Sequence, residues 1–139
     1  MAVAVRVNLQ GDERFRRMLA RLPPSSVSVW LRQSMQQAGF YAQRTAATKF
    51  IKPGGDAPPI PEMLTSRTGE LRRSIETDQS ELPWSVSIGS ALEYSRVHEL
   101  GISPMPSRPY LKPAMQFGIT SGKFAQIFLR AWSRVASDV

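Results

Sequence analysis

Residues 93–114 read EYSRVHELGISPMPSRPYLKPA, and this segment determines how the second half of the chain can fold. It contains four prolines, at positions 104, 106, 109 and 113. Because proline fixes φ and lacks a backbone N–H, these residues interrupt regular structure and hold the chain extended. The apolar residues Tyr94, Val97 and Leu100 predict a short helix that ends at Gly101. A stiff loop loses little entropy when it docks, which suits a contact surface.

The N-terminal part predicts one strand and two helices. Valine and leucine alternate with other residues over 3–9, the period-two pattern of a half-buried strand. Apolar residues at helical spacing predict a short helix over 12–22. A second helix, capped by Ser25 or Ser26, is predicted to run to about Lys52. Its apolar stripe is bulky at first and rich in alanine later, which permits close approach to a sheet.

The middle of the chain predicts a loop followed by a short helix. Residues 53–61, PGGDAPPIP, cannot hold a helix or a central strand. This loop lacks the glycine-lysine-hydroxyl end of a phosphate-binding loop, so nucleotide binding is not predicted. Ser66 or Thr68 can then cap a short helix whose Leu71 and Ile75 face inward.

The remaining patterns predict a hairpin and further helices. Apolar residues alternate with polar ones on both sides of a turn at Leu82-Pro83. Either Pro109 or Pro113 can begin a short helix, and Ser121 can cap a final amphipathic helix. The predicted fold is therefore α+β: a small antiparallel sheet packed against the long helix and the C-terminal helix, with a long proline-rich loop. We expect a single domain over 1–139.

Composition limits the class of protein. Hydrophobic residues make up 42% of the 139 residues and charged residues 21%, which is ordinary globular usage. The chain has no cysteine, so disulfides and thiolate ligands are excluded. No apolar run approaches the roughly 20 residues that a membrane helix needs. We therefore expect a soluble protein without a membrane partner.

The charges fall into three blocks. Residues 1–52 hold nine Lys/Arg and two Asp/Glu, residues 53–100 hold four and eight, and residues 101–139 hold five and one. The overall charge is +7. Basic ends and an acidic middle can be self-complementary, so copies of the chain could associate head to tail in a ring. Alternatively, the charges are simply solvated and have no partner.

Catalytic motifs are missing from the sequence. The single histidine, His98, precedes Glu99, but a zinc-protease helix needs a second histidine where Ile102 stands. None of the serines lies in a G-x-S-x-G elbow. We therefore predict no enzyme activity, no cofactor and no metal. A non-specific DNA-binding protein is the alternative function, because arginines cluster over 14–21 without a base-reading module.

Four short motifs occur in a fixed order within residues 64–115. They are LTSRTGELRRSI, VSIGS, EYSRVHELG and MPSRPYLKPA. This combination resembles the minor tail, virion-morphogenesis or tail-completion proteins of tailed bacteriophages. The matching positions are Thr68, Gly69 and Leu71 for a T-G-x-L turn, Gly89 and Tyr94 for a strand end and its following aromatic, Glu99 and Gly101 for an E-x-G break, and Arg108, Pro109 and Pro113 for an R-P-x-x-x-P segment.

The resemblance implies a structural virion protein of the phage neck or tail, made in the host cytoplasm. It implies an oligomeric ring, commonly a hexamer, that joins the head–tail connector to the tail terminator or tail tube proteins. DNA would pass through the lumen without sequence-specific binding. The residues that we expect at interfaces are Arg16, Arg17, Arg72, Arg73, Glu99, Arg108 and Tyr110.

Overall fold

A computed structural model describes residues 3–8, 13, 17, 20–21, 24–53, 64–66, 68–102 and 104–137. The strands in this part are β1 (Val3–Asn8), β2 (Ile51–Pro53), β3 (Leu64–Ser66), β4 (Ile75–Asp78) and β5 (Ser85–Ser90). The helices that it delimits are α1 (Pro24–Thr48), α2 (Glu70–Ser74), α3 (Glu93–Leu100), α4 (Leu111–Thr120) and α5 (Lys123–Ser137). A small antiparallel sheet packs against α1 and the C-terminal helix, which confirms the predicted α+β fold.

The main sheet has three antiparallel strands in the order β1-β5-β4. Both outer strands pair with β5, so Ser90 lies opposite Val3 on one side and Ile75 on the other. The predicted hairpin is the β4–β5 pair. All six residues of β5 are buried, including its serines. Polar neighbours satisfy them: Arg6 Nε donates to Ser87 Oγ at 3.2 Å, and the hydroxyls of Ser74 and Ser90 lie 2.7 Å apart.

Helix α1 lies close to this sheet because its inward residues are small. Ala38, Ala42 and Ala46 are fully buried. A Cβ atom placed on Gly39 would lie only 2.6 Å from Val86 Cγ2. Any larger side chain at this position would push the helix away from β5. The close approach predicted from the alanine-rich end of the helix is confirmed.

The C-terminal end of α1 differs from the prediction. The helix ends at Thr48, and Ile51–Pro53 forms β2, which pairs in parallel with β3. Ile51 is completely buried in the core, and this burial favours the extended conformation over a further helical turn. Apart from Pro53, the predicted loop over 53–61 lies outside the described residues. In the predicted first helix only residues 13, 17, 20 and 21 are described; the first three are helical and residue 21 lies in a turn.

A second apolar cluster joins α1 to α5. Trp30 Nε1 donates to the carbonyl of Phe128 at 2.9 Å, and the rings of Trp30 and Trp132 meet edge to face at 5.3 Å. Ala131 lies buried beneath them. The predicted C-terminal helix begins at Lys123, two residues after the serine expected to cap it. It packs along α1 between Trp30 and Tyr41, whose ring meets that of Phe124 edge to face.

Candidate protein interface at the proline-rich segment

Helix α3 ends at Gly101, as predicted, but it buries a different face. Ser95 and Glu99 are buried, whereas Tyr94 and Leu100 are exposed. The apolar spacing that predicted this helix therefore does not mark its inward side. The polar face turns inward because Glu99 finds hydrogen-bond donors there, which removes most of the cost of burying a carboxylate.

The Glu99 carboxylate caps helix α4. Its Oε2 accepts the backbone N–H groups of Tyr110 at 2.8 Å and Leu111 at 2.9 Å, and its Oε1 accepts that of Lys112 at 2.9 Å. The first N–H groups of a helix lack partners within the helix, and they carry positive partial charge. A side chain from α3 therefore supplies the cap that Tyr110, at the start of α4, does not supply itself. The hydroxyl of Ser107 adds a bond to the Glu99 carbonyl at 2.9 Å.

Gly101 allows the chain to turn back toward α4. Its φ is 73°, and its N–H donates to the Val97 carbonyl at 2.8 Å. A Cβ atom here would lie 2.7 Å from the backbone nitrogen of Ser107. The N–H of Arg108 donates to the His98 carbonyl at 2.7 Å. We call this set the Glu99 clasp: Glu99, Gly101, Ser107, Arg108 and the first turn of α4.

Tyr110 lies inside the clasp and is completely buried. Its hydroxyl has no hydrogen-bond partner among the described residues. The Ser95 hydroxyl approaches it, but that hydroxyl donates to the Leu92 carbonyl. Burial raises the pKa of Tyr110 to about 12. Glu99 and Tyr110, both expected at an interface, thus face the interior, so they shape the surface without being part of it.

An apolar turn projects from the clasp. The N–H of Met105 donates to the Ile102 carbonyl at 2.6 Å and closes the turn. Leu100, Ile102 and Met105 are 60%, 56% and 47% exposed. We call these three side chains the apolar turn. Hydrogen bonds at His98 and Glu99 hold both ends of the loop, so it presents a fixed apolar surface that suits contact with a protein.

The charged interface candidates lie on separate elements. Arg108 is half-buried, and burial together with this guanidinium lowers the pKa of His98. Arg17 is exposed and pairs with Glu13 at 3.1 Å. Arg73 is exposed and donates to the Thr68 carbonyl at 3.4 Å. Arg72 is half-buried, with its Nε donating to the Ala47 carbonyl at 2.8 Å. The remaining candidate, at position 16, lies outside the described residues.

The T-G-x-L residues form the start of α2. Thr68 Oγ1 accepts the Glu70 N–H at 3.3 Å, Gly69 has a φ of 78°, and Leu71 is buried. The predicted cap at Ser66 or Thr68 is wrong, because Gly69 is the N-cap residue and no side chain caps the helix from that position. These positions shape the fold and present no reactive group.

Within the described ranges, no three His, Cys, Asp or Glu side chains lie close enough together to hold a metal ion. No helix in that part of the chain is both long and apolar enough to cross a bilayer. Comparison with known proteins found no matching family model, curated protein or solved structure.

Proposed function

We propose that this chain is a structural virion protein of a tailed phage. In this proposal it forms part of an oligomeric ring in the neck, between the head connector and the tail, and DNA passes through the ring. The observation that carries the proposal is the apolar turn fixed by the Glu99 clasp. This is an exposed apolar surface on a stiff support, built from the same residues that carry the resemblance.

The apolar turn suits a partner of protein character. Burying one Leu, Ile or Met side chain contributes about 1.5–3 kcal/mol, so covering Leu100, Ile102 and Met105 gives a sizeable gain in association free energy. The clasp fixes the loop in advance, and therefore less conformational entropy is lost on docking.

The E-x-G and R-P-x-x-x-P residues act together in the clasp. Glu99 caps α4 and Gly101 turns the chain. The backbone N–H of Arg108 then donates to the His98 carbonyl on α3. Two motifs that are separate in the sequence thus serve one structural purpose. This supports the interpretation that the residues of both motifs are architectural positions of a structural protein.

The proposal is tested by the assembly state of the purified chain and by head–tail joining. We expect rings, commonly sixfold, by native mass spectrometry and negative-stain imaging, alone or with the connector. Phage preparations that lack the protein should contain filled heads and unattached tails. Adding the protein should join the heads to the tails. A chain that stays monomeric with the connector and binds DNA in a strongly salt-dependent way would instead support the DNA-binding alternative.

A further inference from the structure

A cleft of about 360 Å³ opens between α1 and α2, apart from the residues of the Glu99 clasp. It is lined by Phe40, Gln43, Arg44, Ala47 and Arg72. Two guanidinium groups, one amide and one aromatic ring therefore meet at a single concave surface. Such a combination of donors and apolar surface is typical of a binding site for an anionic group.

Arg72 is fixed in place by α1. Its Nε donates to the Ala47 carbonyl at 2.8 Å, in the last turn of that helix. Carbonyls in this turn lack partners within the helix and carry negative partial charge, so they hold a guanidinium well. Within the described part of the chain, nothing accepts a hydrogen bond from the two terminal nitrogens of Arg72. Those nitrogens remain available to a ligand in the cleft.

The other polar groups of the cleft are also donors. Gln43 Oε1 accepts the Thr77 hydroxyl at 2.5 Å, which leaves the Gln43 amide N–H groups for a ligand. Arg44 is exposed and forms no ion pair with any described acidic residue. Phe40 is 46% exposed and provides an apolar wall beside these donors. The ligand should therefore combine an oxyanion with an adjoining apolar group.

We propose that this cleft binds a carboxylate side chain of a partner protein, with a neighbouring apolar side chain of the partner against Phe40. Planar guanidinium groups match the two oxygens of a carboxylate. The half-exposed Phe40 ring beside these donors favours a carboxylate with an adjoining apolar group over a continuous polyanion such as DNA. The proposed ring function enters only as a source of this carboxylate, from a neighbouring subunit or neck protein.

The test measures peptide binding to the isolated chain by NMR. The probe is the capped peptide Gly-Phe-Glu-Gly, and its control is the Gln-containing twin. We expect the Glu peptide to shift the Nε–Hε signals of Arg44 and Arg72 and the side-chain amide signals of Gln43. The neutral twin should bind roughly fivefold more weakly, because it lacks the charge-assisted hydrogen bonds.

Matched arginine variants locate the site. Arg44→Gln should weaken the Glu peptide about fivefold without changing the melting temperature, since Arg44 is exposed. Arg32→Gln removes the same charge from an exposed position of α1, about three turns away, and should leave binding unchanged. If both variants lose the same affinity for the Glu peptide, the peptide is attracted by the overall positive charge and not by the cleft. That result would overturn the proposal.

Two further titrations test whether the cleft prefers a phosphate group to a carboxylate. Inorganic phosphate and a short DNA duplex are titrated against the same signals. If either shifts them at a lower concentration than the Glu peptide, the cleft is a phosphate site and the proposal is wrong. A Glu peptide that binds no better than its Gln twin, or more weakly than about 10 mM, overturns it as well. Because these measurements use the isolated chain, they can fail while the ring assay succeeds, and the reverse.

Discussion

The Oε2 atom of Glu99 lies 2.9 Å from the backbone nitrogen of Leu111, so a side chain twelve residues earlier closes the first turn of α4. With the bonds to Tyr110 and Lys112, three N–H groups converge on one buried carboxylate. Helices α3 and α4 are thereby joined through a cap, and the loop between them is held at both ends.

Replacing this carboxylate should weaken the fold. Glu99→Gln turns one acceptor oxygen into an NH₂ group that faces backbone donors. We expect the free energy of unfolding to fall by about 2–4 kcal/mol in chemical denaturation. The control Glu93→Gln, exposed in the first turn of α3, should change it by less than about 1 kcal/mol. Equal stability of the two variants would contradict the capping role.

Two glycines with positive φ provide a matched comparison. Gly101→Ala places a Cβ 2.7 Å from the Ser107 nitrogen, whereas Gly122→Ala, at nearly the same φ, meets nothing within 4 Å. We expect Gly122→Ala to lose about 1–2 kcal/mol from backbone strain alone. Gly101→Ala should lose roughly 2 kcal/mol more, because of this contact and because its ψ of 140° lies outside the left-handed helical region. Thermal denaturation measures both, and similar losses would argue against tight packing at Ser107.

The buried Tyr110 hydroxyl makes stability depend on alkaline pH. Its pKa rises from 10 to about 12 on folding, so the folded state favours the protonated form. The stability that this provides is complete below pH 10 and is lost as pH rises toward 12. Between pH 9 and 11 the wild type should lose about 1 kcal/mol more than Tyr110→Phe. If the free energies of unfolding of the two proteins change equally with pH across that range, the prediction is wrong.

The apolar turn should matter for assembly and not for folding. The double variant Ile102→Ser with Met105→Ser alters two exposed side chains, so its melting temperature should stay within about 2 °C of the wild type. Ring formation and head–tail joining should both decrease strongly. The control is Leu129→Ser, also an exposed apolar residue, on α5. Loss of assembly in the control but not in the double variant would place the interface elsewhere.

Local sequence patterns were sufficient for the long helix and for the hairpin of the main sheet. Small residues at helical spacing predicted that α1 approaches the sheet, and Gly39 shows how close that approach is. Alternation around Leu82-Pro83 predicted the β4–β5 hairpin. In each case the signal lies within one segment of the sequence.

The missed features depend on contacts between distant segments. Nothing near Ile51 in the sequence reveals that it pairs with Leu64, so the predicted helix was extended too far. In α3 the apolar residues suggested the wrong inward face, because the donors that favour burial of Glu99 belong to α4. The cleft was missed for the same reason. Arg72 was expected at an interface, but its bond to Ala47, which holds it at the cleft, is not visible in the sequence.

The pairing of β1 with β5 has a consequence for the order of folding. Val3 lies opposite Ser90, so this contact must close a chain segment that spans most of the protein. The β4–β5 hairpin closes a short loop, which is faster and loses less entropy. On the ribosome, β1 emerges before β5 and does not have this sheet partner until residue 90 has followed. We therefore expect substitutions in the hairpin to slow refolding, while Val5→Ala on β1 mainly speeds unfolding. β1, although synthesised before its partner strand, would then be among the last segments to dock.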